Sequence, residues 1–83
     1  MRLSDRIHYA MLEYAGARTA RSFALRSPYR FYRLGIAVSN GIIKPSKLFS
    51  REPIYQGFRR VWGEHGIDVP DYDPSNDEIT EYK

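Results

Sequence analysis

The chain reads as an all-α protein: a small three-helix domain with a short connector turn and an extended acidic C-terminal arm. Two observations predict this class. Residues 4–22, 28–40 and 51–65 each combine helix start and stop signals with apolar residues recurring every three or four positions. Beyond Gly66 the character changes, because IDVPDYDPSNDEITEYK holds two prolines, six acids and a single base. Such a stretch runs extended over a surface rather than joining a core. The expected division is therefore a basic domain, residues 1–66, and an acidic arm, residues 67–83.

Ser4 is placed to cap the first helix, Asp5 suits the positive end of its dipole, and Leu3 can staple onto the next turn. Ile7, Ala10, Met11 and Tyr14 share one face, which is the expected core face, with Tyr9, Glu13 and Gly16 opposite. Continued straight, the apolar face next presents Arg18 and Arg21, so the helix bends, ends or turns into solvent near Gly16. Ala17, Ala20 and Ala24 form a small-residue stripe suited to close packing of a second backbone.

Residues 27–41 form the expected central helix. Ser27 is an N-cap residue, Pro28 has its φ already set for a first turn, and Asn40-Gly41 suits a left-handed cap with Ile42 folding back. Phe31, Leu34 and Val38 make one apolar stripe, and Tyr29, Tyr32 and Ile36 a second. A helix apolar on two sides is flanked on two sides, so this one is expected between the other two.

Pro45 can open a single turn, PSKLF, anchored by Leu48 and Phe49. Ser50 then caps the third helix, Pro53 is tolerated in its first turn, and Gly66 ends it with Ile67 folded back. Ile54, Phe58, Val61, Trp62 and His65 occupy one broad face, which makes Trp62 the strongest core candidate. In the arm, Ser75 and Glu78 form a capping box ahead of Ile79 and Tyr82.

A chain of 83 residues buries a thin core, and without cysteine no disulfide or thiolate site supplements it. The absence of cysteine fits a reducing compartment or a virus particle. Residues 14–34 are arginine-rich, contain serine and lack acids, as an organelle transit peptide does, but their helix signals argue against a discarded leader. No apolar run approaches the ~20 residues that span a bilayer, so no transmembrane segment is expected.

Catalysis has little material. His8 and His65 have no second ligand at metal spacing, no glycine-rich phosphate loop is present, and nothing fixes the geometry of Asp71 and Asp73. Neither an enzyme, a metal nor a cofactor is expected.

Charge is the stronger signal. Residues 1–60 carry twelve Lys or Arg against three acids, a balance of +9, whereas residues 61–83 carry one Lys against seven acids, a balance of −6. Ten of the thirteen basic residues are arginine, whose planar fork suits phosphates, carboxylates and aromatic faces. Arg18, Arg21, Arg26, Arg30 and Arg33, interleaved with tyrosines, are the candidate nucleic-acid-binding residues. The Ser27-Pro28 break divides them, since a residue before proline leaves the helical region.

The candidate partner-binding anchors are Ile67, Val69, Tyr72, Ile79 and Tyr82, set among the arm's acids. With aromatics at 14% of the chain, there is more aromatic surface than three helices can cover, and tyrosine and arginine are types that favour interfaces. The expected role is a non-enzymatic accessory or structural subunit that docks onto protein subunits of a larger assembly, virion-like or other, beside nucleic acid. A basic nucleic-acid-binding regulator and a small phage-type inhibitor of a host protein are the alternatives. The arm has two placements, on its own basic helices or on a neighbour.

Overall fold

The computed structural model describes residues 2–73. They form four helices in the order α1 (Leu3–Arg26), α2 (Pro28–Ser39), α3 (Pro45–Leu48) and α4 (Glu52–Glu64), with no strand among the described residues. The all-α expectation holds, with α3 as the single turn read at Pro45. Residues 74–83, including Ser75, Glu78, Ile79 and Tyr82, lie outside the described residues.

α1 is one continuous helix of 24 residues and runs a turn past the end expected at residue 22. Its last turns consist of good helix formers, and nothing stops them until Pro28. The proline drives Ser27 to φ −141°, ψ 68°, while the Ser27 amide still donates to the Phe23 carbonyl at 2.8 Å. The hydroxyl caps expected at Ser4, Ser27 and Ser50 are not made: Arg2 and Arg51 stand at the N-cap positions of α1 and α4, and Ser27 offers no side-chain bond to α2. Pro28 and Pro53 each remove one amide from a first turn, which lowers the need for a cap.

Both glycine ends form as read. Gly41 (φ +77°) and Gly66 (φ +81°) adopt the left-handed conformation. After α2 the Ile42 amide donates to Ala37, and after α4 the Ile67 amide donates to Trp62, both at 2.9 Å. These are Schellman closures, in which the chain reverses while the last carbonyls stay satisfied. They differ in the apolar contact. Ile67 is buried in the core, whereas Ile42 is exposed and Ile43 packs inward in its place.

The central place expected of residues 27–41 is not found: α1 packs against both α2 and α4, and α4 in turn touches both of the others. Against α1 it packs backbone to backbone: a β-carbon at Gly57 would stand 2.3 Å from the Glu13 carbonyl oxygen, and one at Gly16 would stand 2.3 Å from that of Ile54. Ala17 and Ala20 are fully buried beside this contact, as the alanine stripe predicted. The two helices run parallel, with Tyr9 bonded to Glu52 near one end and Arg21 to Glu64 near the other. Against α2 it packs through Trp62, which is wholly buried, stacks on Phe31 with ring centres 5.5 Å apart, and lies over Gly35. Its indole N–H donates to the Phe31 carbonyl at 3.0 Å.

Two sequence expectations about faces are corrected by this arrangement. The Ile7/Met11/Tyr14 side of α1 is not its core side, because only small residues permit the approach to α4 and they lie on the opposite side. The Tyr29/Tyr32 side of α2 is also open to solvent, and only Ile36 of that stripe packs on the core.

After Gly66 the chain doubles back along α4. Ile67 and Val69 are buried, the Tyr55 hydroxyl donates to the Pro70 carbonyl, and the Tyr72 hydroxyl donates to Phe49 at 2.7 Å. Phe49 closes this end of the core, with its ring 4.9 Å from Phe58 and 5.4 Å from Tyr55.

Candidate interaction face

The outward side of α1 is set by the same small residues that fix its inward side. At 100° per residue, Leu3, Ile7, Met11 and Tyr14 fall within a narrow stripe, while Gly16 and Ala20 lie on the far side of the helix. Locking Gly16 against α4 therefore turns the stripe to solvent. Leu3 is 73%, Ile7 54%, Met11 64% and Tyr14 57% exposed. Averaged round the helix, apolar and polar character cancel, because the inner side is small and flanked by polar groups while the outer side is large and apolar.

Polar contacts also bridge α1 and α4. Tyr9 donates to Glu52 at 3.3 Å, Glu13 pairs with Arg60 at 3.1 Å, and Arg21 pairs with Glu64 at 2.9 Å. Partial burial, then the Glu52 carboxylate beside it, pushes the Tyr9 phenol above its ordinary range. These pairs are largely solvent-exposed and weak, so they accompany the rotation that the Gly16 contact sets rather than determine it.

The five candidate arginines do not form one surface. Arg21 is taken by Glu64 on the α4 side. Arg18 and Arg26 line an open concavity of about 660 Å³ on α1, floored by Met11, Tyr14 and Phe23. Arg30 and Arg33 line a separate, shallower one of about 380 Å³ beside Tyr29. In each, an arginine lies over a tyrosine ring: Arg18 is 6.0 Å from the Tyr14 centroid and Arg33 is 5.6 Å from that of Tyr29.

The first concavity continues the apolar stripe, since Met11 and Tyr14 belong to both. Among the described residues, no Asp or Glu lines either part. On α1 itself, Asp5 lies round the helix from the stripe and Glu13 is held by Arg60. The face thus has an apolar half and a cationic half on one rigid helix.

The arm anchors divide in another way. Ile67 and Val69 are part of the chain's own core, and Tyr72 is half-buried against Tyr55 and Phe49. Asp71 accepts from Gln56 at 2.6 Å and pairs with Arg59 at 3.3 Å. The Gln56 amide, then the Tyr72 backbone N–H, hold its carboxyl below the usual carboxylate range. Residues 67–73 therefore lie on their own domain.

Sequence reasoning noticed both halves of α1 but assigned the large apolar residues to the core. The signal that could have reversed the choice is Gly16, Ala17 and Ala20 on one side of a long helix, matched by Gly57 in α4. Among the described residues no group of His, Asp or Glu could hold a metal ion, and no helix is long and apolar enough to cross a membrane. His8 is exposed on α1, and His65 caps α4 with its ring against Phe31. Compared with protein-family models, curated proteins and solved structures, the chain matches none.

Proposed function

We propose that the protein is a non-enzymatic accessory subunit that docks onto a protein of a larger assembly through the outward face of α1. The observation that carries this reading is the row Leu3, Ile7, Met11 and Tyr14, exposed on a helix that its own domain holds in place. A contiguous apolar row on a small soluble surface costs solubility, and a partner that covers it is its ordinary explanation. Tyrosine and arginine beside the row supply the side chains that interfaces favour.

A photo-crosslinking amino acid placed at Tyr14 in the native cells tests this. Crosslinking into one discrete protein is expected, with none from the same group at Gly63, an exposed position where an added β-carbon would meet no described residue elsewhere in the fold within 4 Å. An inhibitor of a host protein would give the same result and differ only in the partner's identity.

The basic-regulator reading is favoured by a different observation, the two exposed arginine–tyrosine pairs, Arg18 on Tyr14 and Arg33 on Tyr29. Phosphates and bases suit such pairs. On that reading, affinity for duplex DNA falls with salt at a log–log slope of about −0.9 per phosphate contact. It is abandoned if no nucleic acid binds at low salt.

A further inference from the structure

Resting on the docking reading, we infer that the outward face of α1 receives an amphipathic helix bearing carboxylates, its apolar anchors on Leu3, Ile7, Met11 and Tyr14 and its acids on Arg18 and Arg26.

Shape supports a helix. The four apolar side chains step along α1 by four, four and three residues, a straight row about 16 Å long at 1.5 Å per residue. Spaces between knobs at that spacing accept the i, i+3, i+4, i+7 ridge of a second helix. The adjoining concavity is open and elongated along α1, from Met11 to Ser27.

Charge decides among occupants. Arg18 follows Tyr14 by one turn and Arg26 by three, so the cationic groups all lie toward the C-terminal end of the face. A second copy brings the same arginines and, among the described residues, no carboxylate on that face, so pairing the two faces leaves both charges unanswered. Nucleic acid would answer the arginines and leave Leu3, Ile7 and Met11 in water. An acidic amphipathic helix satisfies both halves at once, with steering from the charge and affinity from the burial.

The test uses the full chain and two synthetic helical peptides, each with leucines at the four, four, three spacing. One carries glutamates beyond the leucines toward one end, and the other carries lysines there. The glutamate peptide is expected to bind at least tenfold tighter than the lysine peptide. Met11→Glu and Ile7→Glu, with folding checked by circular dichroism, should each weaken it at least tenfold. The double variant Arg18→Glu with Arg26→Glu should invert the preference between the peptides.

Equal binding of the two peptides overturns the inference, and if Tyr14 still crosslinks to a protein the docking reading survives it. No effect of either glutamate substitution, together with no crosslink, removes both. Phosphatidylglycerol vesicles that displace the glutamate peptide would assign the face to lipid, and a dimer in sedimentation that Met11→Glu dissolves would assign it to a second copy. A gain in peptide affinity on deleting residues 74–83 would assign it to the chain's own C-terminus. Each of these three results overturns the inference.

Discussion

Gly16 and Gly57 meet across the α1–α4 contact with no space for a β-carbon on either. A methyl group on Gly57 would stand 2.3 Å from the Glu13 oxygen and 2.4 Å from the Ala17 nitrogen, and one on Gly16 would stand 2.9 Å from the Ile54 Cα. All are backbone atoms, so no rotamer change can make room. The inward rotation of α1, and with it the outward face, depends on this contact.

Gly57→Ala should therefore destabilise the protein by about 3 kcal/mol or more, at the upper end of overpacking costs, because whole helices must separate. Gly63→Ala, on the same helix and in open space, should stabilise by about 0.5–1 kcal/mol through the unfolded chain and helix propensity. Denaturant midpoints of the two variants check the contrast. Equal effects would mean that the helices do not touch at Gly57.

Trp62→Ala should cost about 3–5 kcal/mol, since the indole is wholly buried between α2 and α4 and its removal leaves a cavity and an unpaired Phe31 carbonyl. For a domain this small that is most of its stability. Loss of a cooperative thermal transition is the expected outcome. Unchanged melting would place the residue outside the core.

Tyr55 predicts an alkaline limit. Burial pushes its phenol from 10.0 up to about 12, with Arg59 lowering it slightly and Asp71 raising it. A folded value above the unfolded one means that the neutral form is favoured in the fold. Its contribution is complete below pH 10 and is lost as pH rises toward 12, at most on the order of 2–3 kcal/mol. Tyr55→Phe removes the donor to Pro70 and should cost about 1 kcal/mol at pH 7. The same variant should flatten the fall in stability between pH 10 and 12, which unfolding curves at pH 7, 10 and 11.5 would show.

A chain ending at Gly66 should melt at least about 5 °C lower than the full chain, equivalent to roughly 1 kcal/mol in a domain of this size. It loses the buried Ile67 and Val69 and the bonds from Tyr55 and Tyr72. It should also hold polyanions more tightly, since Asp71 no longer answers Arg59. A second chain ending at Asp73 serves as the reference, and equal melting of the two would show that residues 67–73 add nothing to stability.

Much of the fold was written locally. Pro28 and Pro45 at helix starts, Gly41 and Gly66 at helix ends, and the apolar side of α4 each act within a few residues, so a single sequence displays them. The same holds for Trp62 and for the alanine stripe. The rotation of α1 was not legible, because it rests on a pairing between Gly16 and Gly57, far apart along the chain, while hydropathy alone favours the Ile7/Met11 side. The grouping of the arginines was hidden for a related reason. Arg18 and Arg21 are three residues apart, yet the parallel course of α4 gives Glu64 to Arg21 and leaves Arg18 over Tyr14. Gly66 pointed to a folded-back Ile67, but the acids around Val69 left the segment open between its own domain and a neighbour, and the reversal at Gly66 places both residues on α4.

Trp62 is the chain's sole tryptophan, and its position makes it an optical gauge of one event. Its indole is stacked on Phe31, bonded to a carbonyl and sealed from water. Native fluorescence should be blue-shifted and resist quenching by iodide, and any parting of α2 from α4 should move it to the red. The outward stripe of α1 lies across the helix from this reporter. Occupation of that stripe by a partner should leave the emission unchanged, so a titration that shifts it registers loosening of the domain rather than docking.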